Sequence, residues 1–181
     1  ICLNIKRIYP HESIFDEFKS SLVNHVKAFK FGDSSQQGYE RVKTFFDDIK
    51  SQDWDVAVGG EMNSSPGYFI TPTVIDRPPE NSRIVVEEPF GPIVPLLSWK
   101  DEEEVISRAN NTRMVLGASV WTNDLTKADR VARQLQAGNV WVSTHFDLSP
   151  MVPCGGHKES GIGTEWGTNG LKGFCNAQTL F

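Results

Sequence analysis

Residues 93–142 alternate between short apolar runs and amphipathic segments, and this rhythm allows few folds. Apolar runs occupy residues 93–97, 116–121 and 140–142. The two segments between them have helical spacing, and each follows a candidate capping aspartate, Asp101 or Asp124. Strands without polar alternation are typical of a sheet covered on both faces. The order strand–helix–strand–helix–strand therefore predicts right-handed crossovers on a mainly parallel, twisted sheet in a three-layer α/β fold.

The first part of the chain predicts one strand and one helix. Residues 1–9 alternate between apolar and polar side chains, as a strand does. Ser13 is a candidate helix cap, with Asp16 three residues further on. The helix after it would bury one face, made of Ile14, Phe15, Phe18, Leu22 and Val26.

The next part predicts a loop, a helix and two extended segments. GDSSQQG (residues 32–38) reads as a loop, and apolar residues from Tyr39 to Ile49 repeat at helical spacing. Residues 54–58 alternate as a strand that stops at a Gly-Gly pair. Residues 68–75 contain a proline, so we expect an extended segment near a sheet edge.

Composition excludes several classes of protein. The 181 residues carry a net charge of −5, which does not suit a phosphate-neutralising surface, so we expect no nucleic-acid partner. No apolar run approaches the roughly 20 residues that span a bilayer, so we expect no membrane partner. The three cysteines lack metal-ligand spacing, which predicts no metal site. So few cysteines favour a reducing compartment and predict a cytoplasmic protein.

The stretch EEPFGPIVPLL (residues 87–97) leads a carboxylate pair through a Phe-Gly-Pro turn into a buried strand. One interpretation is a turn that directs Phe90 into the core. The other is a loop that fixes a carboxylate and an aromatic ring at the edge of a cleft. A carboxylate suits a ribose diol because it accepts two hydroxyl hydrogen bonds.

The stretch AGNVWVSTHFDLSPMVPCGGHKESGIG (residues 137–163) runs from a strand into a long loop rich in apolar residues and glycine. An apolar loop beyond a strand end can form the wall of a substrate pocket. His157 and Lys158 are a candidate base and cation, although such loop residues are more often simply solvated. Cys2 is a candidate nucleophile, although a lone cysteine is usually a small core residue.

Read together, ICLNIKR, EEPFGPI, AGNVWVS and GGHKESGIG resemble the aldehyde dehydrogenase superfamily, in matching order and at suitable distances from residue 1 to 181. The resemblance implies an oxidoreductase that uses NAD or NADP to oxidise a small-molecule aldehyde to a carboxylic acid. It implies that residues 1–173 are part of the catalytic domain. Residues 174–181 would begin an oligomerisation strand, here cut short, of a homo-oligomer, a dimer or a tetramer.

The resemblance also assigns site residues. Cys2 would be the nucleophile that forms a thiohemiacetal and then a thioester, and its backbone N–H would help to hold the oxyanion. Glu88 would bind the nicotinamide ribose, and Phe90 would help to seat the nicotinamide. Phe146 and Leu148 would line the aldehyde pocket. Cys154 stands where many members carry a phenylalanine, so it would also border that pocket.

Other expected parts are not in this sequence. The resemblance places the Gly-rich cofactor domain, the general-base glutamate and the oxyanion asparagine before Ile1, so we expect a longer protein. A targeting segment for an organelle such as the mitochondrion would then also lie outside the sequence. Family members carry a further loop where Gly38 here runs directly into Tyr39. The residues leave open the aldehyde, the choice between NAD and NADP, and the oligomer number.

Two alternative functions remain at this point. The 181 residues taken literally could be a non-catalytic fragment or interaction module, because they lack the cofactor domain and the general base. A cysteine hydrolase that uses Cys2 would need a Cys/His/Asn pattern, which the sequence does not show.

Overall fold

A computed structural model describes residues 1–30, 32–62 and 66–180. The chain divides into two compact units. The first contains Ile1 and Ile5–Glu102, and the second contains Cys2–Asn4 and Glu103–Phe181. The first residues of the chain are therefore shared between the two units, and the candidate nucleophile belongs to the second.

The first unit is a three-stranded sheet with helices. Its elements in chain order are a short 3₁₀ helix (Glu12–Ile14), α1 (Phe15–Lys27), α2 (Gln36–Ser51), β1 (Val56–Val58), β2 (Thr73–Asp76), α3 (Arg83–Val86) and β3 (Ile93–Leu96). The strand order is β1-β2-β3, with β2 antiparallel to β1 and parallel to β3. In the parallel pair, Thr73 lies opposite Ile93 and Asp76 lies opposite Leu96.

A hydrophobic core cluster of the first unit forms between α2 and the sheet. The predicted apolar face of α2 is confirmed, since Val42, Phe45, Phe46 and Ile49 are all buried. They pack in one cluster with apolar residues of the sheet and of α3, including Ile75, Ile84 and Ile93. The aromatic pair at 45 and 46 contributes most of the buried volume on α2, so the helix depends on it for its packing.

The predicted strand over residues 1–9 is wrong. Residues 2 and 3 form a turn, and only Ile8 makes a parallel bridge, to Leu96 of β3. Ile1 and Ile5 are exposed, whereas Leu3 is buried in the second unit. Alternation predicts which side chains share a face, but a strand also needs a neighbouring strand with which to form hydrogen bonds. Here the chain joins the sheet only at Ile8.

Three local predictions in the first unit also need correction. His11, rather than Ser13, caps the first helical turn: its Nδ1 accepts from the Ser13 backbone N–H at 3.2 Å. The α2 helix begins at Gln36, three residues earlier than expected, because Ser35 Oγ accepts from the Gly38 N–H at 3.1 Å. Strand β2 is central rather than at an edge, because the proline at 72 precedes it and leaves its hydrogen bonds intact.

The second unit contains two small sheets and three helices. Its elements are α4 (Glu102–Asn110, whose first residue belongs to the first unit), β4 (Met114–Val115), β5 (Gly117–Val120), α5 (Leu125–Ala132), β6 (Asn139–Val142), β7 (His157–Lys158) and α6 (Gly167–Lys172). Strands β5 and β6 are parallel and joined through α5, while β4 and β7 are antiparallel. The predicted cap at Asp124 is confirmed, because its carboxylate accepts from the Lys127 N–H at 3.0 Å.

The α/β class with parallel strand pairs is confirmed, and the strands predicted in residues 93–142 are all found. They belong to two sheets, since β3 pairs with β2 and β6 pairs with β5. Residues 176–180 are not assigned to a strand, and Phe181 lies outside the described residues. The oligomerisation strand therefore stays a prediction. Over the part of the chain described here, no helix has both the length and the apolar composition that crossing a bilayer requires.

The α2 packing generates a stability prediction. Replacing the fully buried Phe45 with alanine leaves a cavity between α2 and the sheet, so we expect Phe45→Ala to lower the free energy of unfolding by about 3–5 kcal/mol. Phe29→Ala removes a ring that is 51% exposed and should cost less than about 1 kcal/mol. Urea unfolding followed by circular dichroism measures both. Equal losses in the two variants would contradict this account of the core.

Candidate active site

The candidate nucleophile Cys2 is exposed, but the residue after it is firmly held. Leu3 is 8% exposed, and its side chain lies against Gly117 at the start of β5, where an added Cβ would come within 3.0 Å of the Leu3 Cδ2. The Leu3 carbonyl oxygen lies 2.8 Å from His145 Nε2. The Cys2 thiol is therefore presented to solvent from a backbone anchored in the second unit.

The loop after β6 is tight and closed by a tryptophan. Ser143 and Phe146 have φ values of +54° and +63°, in the left-handed region that non-glycine residues rarely adopt. The indole Nε1–H of Trp141 donates to the Asp147 carbonyl at 2.7 Å and closes the loop. The Trp141 and His145 rings are in edge-to-face contact, with centroids 5.1 Å apart. These contacts hold the loop in its strained backbone conformation.

A cavity of about 240 Å³ lies beside this loop. Leu148 and Cys154, both predicted to line a substrate pocket, are in its wall. Phe146 and Cys2 do not line it, and the Phe146 side chain is 42% exposed. The wall combines aromatic and aliphatic side chains with a few polar groups: Gly138, Asn139, Val140, Trp141, Asp147, Leu148, Ser149, Val152, Pro153, Cys154 and Trp166.

The backbone at the start of β6 is in direct contact with the backbone of the Gly-Gly pair that follows Cys154. A Cβ at Gly138 would overlap the carbonyl oxygen of Gly155, so only glycine fits there. The next side chain, Asn139, donates from Nδ2 to the carbonyls of Leu116 and Gly155, at 2.8 and 3.1 Å. This contact places Cys154, one residue before Gly155, at the cavity wall. Cys154 is fixed further by paired backbone hydrogen bonds of 2.8 Å with Glu165.

His157 and Lys158 hold the fold of the second unit together. His157 Nδ1 lies 3.2 Å from the Gln136 carbonyl, so it donates there. Lys158 Nζ donates to the carbonyls of Asn110 and Thr112, at 2.8 and 3.0 Å. Both residues form β7, and these contacts favour the interpretation that they are structural. Cys175 is exposed after α6, and its Sγ lies 3.6 Å from the Leu171 carbonyl.

The candidate cofactor residues Glu88 and Phe90 lie on a loop of the first unit that is fixed through its backbone. Arg41 of α2 donates from Nη2 to the Glu88 carbonyl at 2.6 Å and from Nε to the Pro89 carbonyl at 3.2 Å. Phe90 has a φ of +53° and is 57% exposed, so its ring is not directed into the core. At Gly91 an added Cβ would overlap Val42 Cγ2, which packs the loop tightly on α2.

The structure distinguishes the two carboxylates of this loop. Glu87 accepts from Arg83 Nε at 3.1 Å, and Arg83 also binds Asp48 at 2.7 Å. The hydrogen bond from Arg83 lowers the pKa of Glu87 against the opposing effect of partial burial. The Glu88 carboxylate has no hydrogen bond or ion pair with the described residues. Of the pair, Glu88 is thus the one whose carboxylate oxygens can accept from a ligand.

Three residues that support candidate side chains within one unit or the other were not predicted from the sequence. His145 and Arg41 act through backbone carbonyls distant in sequence, and no local pattern signals such contacts. Lys6 Nζ donates to the Val86 carbonyl at 3.0 Å, at the entrance to the Glu88 loop. Burial lowers the pKa of Lys6 to about 8, with a further contribution from Arg7, although Glu88 and Glu87 oppose the shift.

Comparisons with known proteins find similar sequences over almost the whole chain. The model of the aldehyde dehydrogenase family matches residues 1–180. A mitochondrial aldehyde dehydrogenase of Leishmania tarentolae is 37% identical over 178 residues, covering 92% of this chain and 36% of the relative. Aldehyde dehydrogenase 1A1 of Oryctolagus cuniculus is 35% identical over 190 residues, covering 99% of this chain and 38% of the relative.

A solved structure is similar over almost the whole chain. Betaine aldehyde dehydrogenase of Staphylococcus aureus, in complex with NAD⁺, matches with a TM-score of 0.89 and 34% identity. The match covers 96% of this chain and 38% of that enzyme. The chain thus spans about two fifths of the length of the proteins it resembles.

The Lys6 environment generates a pH prediction. The folded chain releases the Lys6 proton near pH 8, whereas an unfolded chain keeps it up to about 10.5, so stability should rise with pH between these values. Because Lys6 is partly solvated, we expect a rise of only about 1 kcal/mol. Urea unfolding at pH 7.5, 9 and 10.5 measures it. Lys6→Met should remove the rise, and Lys43→Met, at an exposed position on α2, should keep it; a Lys6→Met protein that keeps it contradicts this account.

Proposed function

Because this chain belongs to the aldehyde dehydrogenase family, we propose that it is part of the catalytic domain of an enzyme that oxidises an aldehyde to a carboxylic acid with NAD or NADP. The observation that carries the proposal is the Cys2 turn: an exposed thiol on a backbone held by Leu3 and His145. An anchored, accessible sulfur suits a nucleophile, whereas a structural cysteine is usually buried.

The chemistry assigned to Cys2 is covalent catalysis. Its thiolate attacks the aldehyde carbon, and a proton on the carbonyl oxygen completes a thiohemiacetal. Hydride would leave that carbon together with loss of the hydroxyl proton, which gives a thioester on Cys2, and water would then release the carboxylic acid and the thiol. A sulfur nucleophile divides one difficult oxidation into two easier steps, because it attacks well and also leaves well.

The Glu88 loop fits the nicotinamide riboside end of the cofactor. When bound, NAD or NADP supplies the hydride acceptor for this reaction. Glu88 would accept hydrogen bonds from the ribose hydroxyls, since its carboxylate is unpaired among the described residues. Phe90 would offer its exposed ring as an apolar surface for the nicotinamide. The Staphylococcus aureus relative was solved with NAD⁺, which supports NAD as the cofactor.

Phe146, Leu148 and Cys154 are proposed to border the aldehyde path. Leu148 and Cys154 lie in the wall of the 240 Å³ cavity, together with Trp141 and Trp166. Phe146 would contribute its exposed ring from the same loop. A wall of this composition suits an aldehyde with an apolar part, and the small Cys154 side chain leaves more room than a phenylalanine would.

Residues 174–181 are proposed to begin an oligomerisation strand, with residues 1–173 in the catalytic domain. The apolar side chains of Leu171, Phe174 and Leu180 are 66%, 81% and 86% exposed, which supports a surface that another subunit covers in a homo-oligomer. The cytoplasmic location stays a prediction, and the Leishmania relative is described as mitochondrial.

The nucleophile assignment predicts that Cys2→Ala abolishes aldehyde-dependent formation of NADH or NADPH by the full-length protein. We expect a loss of at least about 10³-fold, because no other group replaces the covalent step. Cys175→Ser, at another exposed cysteine, is the matched control and should keep full activity. Substantial dehydrogenase activity in Cys2→Ala would reject the proposed function.

The cofactor assignment predicts weaker binding in Glu88→Gln. Loss of the charged acceptor should raise the dissociation constant for the cofactor about 10–100-fold, the magnitude expected for charge-assisted hydrogen bonds. Glu40→Gln removes an exposed carboxylate beside Arg41 on α2 and should leave affinity unchanged. Fluorescence titration of the full-length protein measures both. Equal affinities in the two variants would remove Glu88 from the cofactor site.

A further inference from the structure

His145 makes a polar contact with a distant part of the backbone, although it lies in a loop rich in apolar residues. Its Nε2 lies 2.8 Å from the Leu3 carbonyl oxygen, 142 residues away in sequence. A carbonyl oxygen can only accept, so Nε2 carries the hydrogen and donates it. The bond joins the loop after β6 to the backbone of the residue that follows Cys2, within the second unit.

The imidazole ring is fixed from the other side. Trp141 meets it edge to face, with an interplanar angle of 68°. The indole of Trp141 in turn binds Asp147 and forms part of the cavity wall. One continuous series of contacts therefore runs from the cavity through Trp141 and His145 to the Leu3 carbonyl, one residue from the thiol.

The environment of Nδ1, the second ring nitrogen, indicates why a histidine occupies this position. His145 Nδ1 is buried and has no hydrogen-bond partner among the described residues. A buried unpaired nitrogen costs stability, and a phenylalanine ring would fill the same space without that cost. The bond from Nε2 is the one polar interaction seen for this side chain in the described structure, so the benefit of a histidine here lies at Leu3.

We propose that His145 is a positioning residue that sets the orientation of the Cys2 turn relative to the cavity, an inference that rests on the proposed role of Cys2 as the nucleophile. Leu3 is held by its side chain against Gly117 and by its carbonyl through His145. The side-chain contact alone fixes where the residue lies, but the peptide plane after Leu3 can still rotate. The hydrogen bond removes that rotation and so fixes the orientation of Leu3, the residue to which the Cys2 backbone is joined.

Three substitutions in the full-length protein separate the donor from the packing. His145→Gln places its amide nitrogen near the position of Nε2 and keeps the donor. His145→Asn is shorter, so its amide falls near Nδ1 and cannot reach Leu3. His145→Phe keeps the ring against Trp141 but has no donor. Each variant is assayed for kcat, for the KM of the cofactor, and for the rate at which iodoacetamide alkylates Cys2.

We expect kcat to fall about tenfold or more in His145→Phe and His145→Asn, because small errors in the placement of a nucleophile are costly. Cys2 alkylation should change by several-fold in the same two variants. His145→Gln should restore both quantities to within about threefold of the original protein. The KM of the cofactor should stay constant.

Other outcomes would overturn the inference. It fails if His145→Phe matches the original protein in kcat and Cys2 alkylation, or if His145→Gln is as impaired as His145→Phe. It also fails if the variants lose thermal stability while the folded fraction keeps the original alkylation rate. Failure of the proposed function looks different: Cys2→Ala would then stay active, whatever the His145 variants do.

Discussion

The closeness of Gly138 to Gly155 is the constraint on which the candidate pocket depends. No side chain fits between these two backbones, and Asn139 bonds across the contact. The start of β6 and the Gly-Gly turn after Cys154 are thereby held together. The residues between them must therefore form a loop whose two ends lie side by side. Such a loop has to close on itself, which it does through Trp141, and residues of the loop form part of the cavity wall. A larger residue at 138 would separate the two ends and open the wall on the Cys154 side, although the strand itself could still form.

A similar arrangement is found at Glu88 and at Cys2: the backbone is fixed and the side chain is left free. Arg41 holds the carbonyls of Glu88 and Pro89, while the Glu88 carboxylate remains unpaired within the described chain. The anchored Leu3 holds the backbone beside the exposed Cys2 thiol in a comparable way. Anchoring through carbonyls has a physical advantage, because it orients a residue without using the polar atoms that a ligand or a substrate needs. It also explains why a basic or aromatic neighbour, rather than the functional residue itself, makes most of the contacts in each loop.

Sequence patterns predicted the elements well where a periodic apolar face meets a core, as in α2, β1, β3, and the β5–α5–β6 unit. They failed where two distant segments share a backbone contact. The alternation of residues 1–9 is real, but the chain turns at Cys2 so that Leu3 can be buried in one unit while Ile8 pairs with β3 in the other. The candidate site residues were predicted through resemblance to a family, but the residues that hold them in place were not predicted. No local pattern connects His145 to Leu3 or Arg41 to Glu88, since each pair is separated by dozens of residues. Periodicity reports the environment of a residue's own element, whereas these contacts depend on how elements meet.

The stability of the second unit depends to an unusual degree on the Cys2 turn. Fully buried apolar side chains are concentrated in the first unit, and those described in the second are Leu3, Ile106, Val115 and Ala128. Leu3 is therefore both a member of a small core and the neighbour of the proposed nucleophile. Opening the turn would expose a core side chain and break the bond to His145 together, so local fluctuation of the turn costs far more than that of an ordinary exposed turn. The order that a nucleophile needs thus comes from the packing of the unit that carries the pocket. It follows that substitutions at these core positions, although none of them touches the cavity, should act on the position of the Cys2 sulfur as well as on folding.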